Sequence, residues 1–109
     1  MDLVKIVVTV PLTHADAVRL GMGAAGGGHL GAYSACSYSV SGTGRFTPET
    51  GASPFIGALG VAEHVLEERI EVTCQRDRAR AVIAAARACH PYEEAVIDVY
   101  ALLDPDDLP

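Results

Sequence analysis

Two stretches decide the fold: Lys5-Ile-Val-Val-Thr-Val10 and Arg69-Ile-Glu-Val-Thr-Cys74, which superpose when the chain is slid along itself by 64 residues. Both are short and rich in β-branched residues, and both are apolar at alternate positions. That is the pattern of a strand with one buried face. The same shift lays Thr13 on Asp77, two residue types that cap helix N-termini. It also lays Ala15, Ala17, Val18 and Ala24 on Ala79, Ala81, Val82 and Ala88. The repeat is therefore strand–helix–strand, twice. Two such halves predict an α+β fold, a ferredoxin-like βαββαβ sandwich with a four-stranded antiparallel sheet and two helices on one face. The second face is left bare.

Outward from these strands the chain reads as follows. The first strand covers residues 3–10 and closes at Pro11. Thr13 reads as an N-cap, with Asp16 three residues on as a short capping box. Ala15, Val18, Met22 and Ala25 recur at helical spacing, and Gly26-Gly27-Gly28 ends that helix. A second strand is expected over residues 30–40. Residues 41–60 hold five Gly and two Pro and have no helical period. They read as a long loop with a short strand extension near Arg45 and Phe46; such loops are commonly functional or part of an interface. A third strand over residues 65–75 places Leu66, Ile70, Val72 and Cys74 on one face and Glu67, Arg69, Glu71 and Thr73 on the other. Glu68 breaks the alternation and moves the expected start later. Asp77 is expected to cap a helix that buries Ala79, Val82, Ile83, Ala86 and Cys89. Pro91 stops it and pushes His90 toward an extended conformation. A last strand covers residues 95–103, and the acidic tail 104–109 is expected to fray. The bare sheet face would carry Val7, Thr9, Arg69, Glu71 and Thr73.

Composition bounds what such a domain can do. At 109 residues the chain is one domain, spanning 1–109. Half of it is apolar, which excludes disorder. A net charge of −6 argues against a phosphate-backbone binder, so no nucleic-acid partner is expected. No stretch approaches the ~18 apolar residues of a membrane span, and Met-Asp-Leu-Val-Lys is no signal peptide. Cys36, Cys74 and Cys89 are odd in number and form no C-x-x-C, so a reducing cytoplasm is expected rather than a disulfide framework. The apolar half holds 17 Ala, two Phe and no Trp. Small residues bury little area each, so part of the stability is expected to come from neighbouring copies of the chain.

Most chemical motifs fail on inspection. Gly21, Gly23 and Gly26 spell G-x-G-x-x-G, but they lie within and at the end of a helix rather than between a strand and a helix start. Phe46 stands where an acidic residue would be needed about 20 positions on. The first strand–helix turn, Pro11-Leu12-Thr13-His14, lacks the C-x-x-C of ferredoxin-like metal chaperones and the arginine of acylphosphatases. Neither G-x-S-x-G nor H-E-x-x-H occurs. Two constellations remain. In Gly28-His-Leu-Gly-Ala-Tyr-Ser-Ala-Cys36, His29 and Cys36 are of the types that ligate soft or borderline metals; alternatively Cys36 is a buried small hydrophobe and His29 a rim hydrogen-bonder. In His90-Pro-Tyr-Glu-Glu94, His90 is a candidate base or ligand with Glu93 or Glu94 as partner; alternatively the segment is a helix stop that orients the last strand.

Taken in order, five motifs carry a resemblance: Gly27-Gly-His-Leu-Gly-Ala-Tyr-Ser-Ala-Cys-Ser-Tyr38, Gly42-Thr-Gly-Arg-Phe-Thr-Pro48, Gly51-Ala-Ser-Pro-Phe-Ile-Gly57, Glu68-Arg-Ile-Glu71 and Cys89-His-Pro-Tyr-Glu-Glu94. Together they resemble the PII-like insert of the Nif-three-like (NGG-interacting-factor) proteins, and more closely its standalone YqfO-like version. The resemblance runs from about Lys5 to Leu103. His90-Pro91-Tyr92-Glu93 is also similar to the segment before the last strand of the CutA proteins, which are ferredoxin-like trimers. Ala32, Ser53 and Val96 stand where that family commonly has Asn, Asn and Tyr. The resemblance implies a PII/CutA-like fold, trimerisation and a binding or regulatory role. It also implies that the two-metal centre of the long proteins lies in flanking halves not contained in these residues, so their hydrolase label is not expected here.

The functional expectation is a non-enzymatic, homo-oligomeric module, a trimer by resemblance, that binds a small ligand or divalent metal ion near a subunit interface. Its ligand residues are expected among His29, Tyr33, Phe46, Pro54, Phe55, His90, Tyr92, Glu93 and Glu94, and its metal ligands among His29, Cys36 and His90. No catalytic residue is assigned. Two other readings are a small enzyme using His90 with Glu93 or Glu94 as acid–base pair, and a protein-docking module whose long loop offers Phe46, Pro54 and Phe55 as anchors.

Overall fold

The structure, a computed structural model, describes residues 2–109. The chain forms β1 (Leu3–Pro11), α1 (Leu12–Ala24), β2 (Tyr38–Phe46), β3 (Glu63–Gln75), α2 (Ala79–Cys89) and β4 (Ile97–Ala101). The two repeated strands lie side by side. β1 and β3 pair antiparallel with Ile6 opposite Val72 and Val8 opposite Ile70. β2 flanks β3 and β4 flanks β1, both antiparallel, so the sheet order is β2-β3-β1-β4. This is the βαββαβ sandwich that the repeat implies.

The core forms where the even-numbered residues of the central strands meet the helices. Val4, Ile6, Val8 and Val10 pack with Ile70, Val72 and Cys74 against Ala15, Val18 and Met22 of α1 and Val82 and Ala86 of α2. Each buried Val, Ile or Met contributes roughly 1.5–3 kcal/mol. Small residues let the helices approach closely. A Cβ built on Gly21 would lie 3.1 Å from the Cys89 Sγ. The odd-numbered residues, among them Lys5, Thr9, Arg69, Glu71 and Thr73, lie on the helix-free face. Lys5 pairs there with Glu71 at 3.4 Å, and Arg69 with Glu71 at 3.1 Å. Val7 lies between these long side chains and is buried.

Several expectations are corrected. The second strand is residues 38–46, not 30–40, and takes up much of what reads as loop; the loop proper is residues 47–62. Ahead of it, residues 28–36 form a clamp. The Gly28 N–H donates to the Thr73 carbonyl at 2.8 Å, and Leu30 bridges Tyr33. A Cβ on Gly28 would sit 2.1 Å from the Cys36 carbonyl oxygen, and its φ is +75°, so only glycine fits. Thr13 and Asp77 are not caps: α1 starts at Leu12 with no side-chain cap, and Asp77 lies in a 3₁₀ turn, Arg76–Arg78, ahead of α2. β3 starts earlier than expected, at Glu63. Glu68 is tolerated on the helix side because Arg19 of α1 pairs with it and with Asp16. The tail is not wholly frayed, since Pro105–Asp107 form a 3₁₀ turn whose Asp106 N–H donates to Asp104 Oδ1 at 2.9 Å.

One feature of the register shapes the rest. β1 reaches β3 only from Glu67 onward, so residues 63–66 pair with β2 alone. The two strands run on as an arm past the helices, and the molecule measures 49 × 30 × 24 Å. Leu66, expected in the core, is 65% exposed on this arm. At the opposite end the Leu102 N–H donates to the Leu3 carbonyl at 3.1 Å, so the outer ends of β4 and β1 lie together.

The α1 register is testable. Met22 is fully buried and Leu20 is 75% exposed. Met22→Ala is expected to cost about 2–5 kcal/mol in urea unfolding, and Leu20→Ala no more than ~0.5 kcal/mol.

Candidate functional site

Where β1 stops and the β2–β3 arm continues, the segment after α2 fills the gap. Pro91 forces His90 out of the helix, and His90 is extended at φ −83°, ψ 134°. The His90 ring is buried and fully engaged. Its Nε2 donates to the Thr9 carbonyl at 2.7 Å, and its Nδ1 accepts the Tyr92 N–H at 3.1 Å. These partners assign the tautomer, with the proton on Nε2. The Tyr92 ring then lies between the His90 ring, centroids 5.1 Å apart, and Phe46 of β2, edge-to-face at 5.7 Å. Its hydroxyl donates to Glu67 Oε2 at 2.9 Å. Burial, and then the hydrogen bond and charge of Glu67, push the Tyr92 phenol well above the ordinary tyrosine range.

Glu67 is 6% exposed. Its side chain leans over β2, where a Cβ on Gly44 would lie 2.2 Å from Oε1. Gly44 is thus the space that the carboxylate occupies. Above it the loop 47–62 folds back. Its base closes through the Gly60 N–H to the Pro48 carbonyl at 2.7 Å. Its crest is tied by the Ser53 N–H to Glu93 Oε1 at 2.8 Å, and Phe55 packs edge-to-face with His14, centroids 5.6 Å apart. Between loop, arm and the residues after Pro91 lies a cleft of about 620 Å³. Phe46, Pro54, Phe55, Ile56 and Val96 give it apolar walls, and Glu67 and Tyr92 give it a polar floor. Arg69, Glu93 and Glu94 also line it.

The structure brings together Phe46, Pro54, Phe55, Tyr92, Glu93 and Glu94 of the expected ligand residues, with His90 behind Tyr92. It does not bring His29, Tyr33 or Cys36 there. Those belong to the clamp beside Thr73, towards the other end of the sheet, where His29 and Tyr33 are exposed. The expected metal set of His29, Cys36 and His90 is therefore corrected: the three do not converge, and both His90 nitrogens are spent on backbone partners. Among the described residues no group of three His, Cys, Asp or Glu could hold a metal ion. The acid–base pair of His90 with Glu93 or Glu94 is likewise not formed, since the His90 partners are main-chain groups and Glu93 holds the loop. Sequence reasoning missed Glu67 as a site residue. It reads as one more outward position of an alternating strand, and only Gly44, 23 residues earlier, marks the room made for it.

The fold is that of the CutA and PII-like proteins. CutA1 from Ehrlichia chaffeensis aligns over 97% of this chain and 86% of its own with a TM-score of 0.68 at 16% identity. A Bacillus subtilis GlnK–ATP complex aligns over 93% and 82% with a TM-score of 0.63 at 10% identity. Much greater sequence identity is found with a Bacillus cereus protein related to NIF3: TM-score 0.83 and 45% identity over 94% of this chain, but only 26% of that one. A Mycobacterium tuberculosis protein named GTP cyclohydrolase 1 type 2 homolog is 52% identical over 105 residues, 95% of this chain and 27% of that protein. No protein-family profile matches the chain. The chain has the PII/CutA-like fold, and it spans about a quarter of the length of the relatives that it matches at 45–52% identity.

Two measurements test the site. His90→Ala leaves the Thr9 carbonyl and the Tyr92 N–H without their partner and is expected to cost ~1–3 kcal/mol in denaturant unfolding. Tyr92 holds its proton more tightly folded than unfolded. Its contribution is therefore full below the unfolded tyrosine value of about 10 and declines as pH rises above it. Tyr92→Phe is expected to reduce the loss of stability between about pH 8 and about pH 10.5, compared by urea titration at both.

Proposed function

We propose that residues 1–109 act as a single non-enzymatic PII/CutA-like module that assembles with copies of itself, as a trimer, and binds a small ligand in the cleft beneath the loop 47–62, in a regulatory role. The cleft is the observation that carries this reading. Its volume falls in the roughly 300–1,000 Å³ range of small-molecule sites, and it joins apolar walls to a few placed polar groups. The ligand would touch the β2–β3 arm, the loop and the segment after α2 at once.

Assembly is supported by what the fold leaves uncovered. β2 is an edge strand, and its Val40, Gly42 and Gly44 line the cleft, so a neighbour along that edge would stand beside the ligand. Tyr38, Val40 and Tyr100 are exposed on the helix-free face, and Leu66 on the arm. The three cysteines are free, which suits a reducing compartment such as the cytoplasm. Among the described residues no helix is long and apolar enough to cross a membrane.

Sedimentation equilibrium at micromolar concentration is expected to give about three times the 11.4 kDa chain mass. A single 11.4 kDa species would overturn the assembly. For the cleft, amide shifts in an NMR fragment screen are expected to cluster at Gly44, Phe46, Tyr92 and Ile56. Shifts scattered over the helices instead would overturn it.

A further inference from the structure

Among the described residues no cation pairs with the buried carboxylate of Glu67. Among the described residues the basic side chains that form ion pairs go elsewhere: Lys5 and Arg69 to Glu71, and Arg19 to Asp16 and Glu68. Its single side-chain partner is the Tyr92 hydroxyl on Oε2. The other oxygen, Oε1, lies over Gly44, and Glu67 and Gly44 both line the cleft. A carboxylate taken out of water is costly until an opposite charge meets it. The surrounding charges point the same way. Glu49, Glu67, Glu93 and Glu94 line the cleft against Arg45 and Arg69, and Arg69 is held by Glu71. Tyr92 touches Glu67 and packs on Phe46, and Phe55 lines the same cleft; the faces of such rings attract cations. A divalent metal ion would need more ligands than converge here.

We propose that this cleft is a receptor for a small organic cation, an ammonium or guanidinium group on an apolar body, with Glu67 as its counter-ion. The proposal rests on the cleft being a ligand site, and it names the class of ligand. The charged head bonds Oε1 of Glu67 from the cleft side, with the carboxylate itself seated over Gly44. The apolar body lies along Phe46, Pro54 and Phe55. A triphosphate is disfavoured, because four carboxylates face two guanidinium groups.

The test compares phenethylammonium and benzamidinium with phenethyl alcohol, phenylacetate and ATP, by calorimetry and by amide shifts on the intact protein. Glu67→Gln keeps an oxygen that accepts from Tyr92, so the fold is retained, and circular dichroism checks this. The two cations are expected to bind with shifts at Gly44 and Tyr92, and to lose about ten-fold or more in affinity in Glu67→Gln. The alcohol is expected to bind equally to both proteins. If alcohol, phenylacetate and cations bind the cleft alike, and Glu67→Gln changes nothing, the cation assignment is overturned while the ligand cleft stands. If none of the probes shifts cleft residues, both readings fall. If Glu67→Gln instead dissociates the oligomer, the cation is a neighbour's side chain and the small-molecule assignment is overturned.

Discussion

The contact on which the site depends is the hydrogen bond from the Tyr92 hydroxyl to the buried carboxylate of Glu67. It joins the segment after α2 to β3, across the place where β1 runs out. Each neighbouring feature serves it. Pro91 turns the chain out of its helix, the His90 ring locks onto Thr9 and the Tyr92 amide, and Gly44 leaves room for the acid. Without that junction the arm would have no support on its helix-free side. The cleft exists because β2 and β3 go on pairing beyond the point where β1 ends, and the tyrosine closes only part of the gap.

The fold was legible because its signal is repetitive. The strand around Ile6 and its echo around Ile70 alternate with period two, and Ala15, Val18 and Met22 repeat with the helical period. Burial on one face imposes both patterns. β2 was illegible for the opposite reason. It lies at the sheet edge, with Ser39, Ser41, Thr43 and Arg45 on one side, and on the other Gly42 and Gly44 interrupt the apolar run of Tyr38, Val40 and Phe46, so the period is broken. The glycines that made it look like loop include the one that houses Glu67. Caps were misplaced by a residue or more because Thr13 and Asp77 are cap-forming types whose backbone is already helical or in a 3₁₀ turn.

The site was half legible. Phe46, Pro54, Phe55 and Tyr92 were singled out as aromatic or proline residues in irregular segments, where structure rarely needs them. His90 was singled out for the wrong work. A histidine beside two glutamates suggests acid–base chemistry, but its partners are a carbonyl 81 residues away and an amide two residues on. Only tertiary geometry separates a catalytic histidine from one used as a brace. Glu67 is the converse case, an acid in an ordinary strand position made unusual by what folds over it.

The bond between Leu102 and Leu3 has a consequence beyond local order. The first and last strands are neighbours and antiparallel, so the polypeptide enters and leaves the sheet at one spot. A unit with that geometry can be spliced into a surface loop of another protein at almost no entropic cost, because the host sees only a short gap between its own two ends. Sequences 45–52% identical to this chain make up roughly a quarter of two much longer proteins. Its arm, loop and cleft project from the far end, away from the point of attachment.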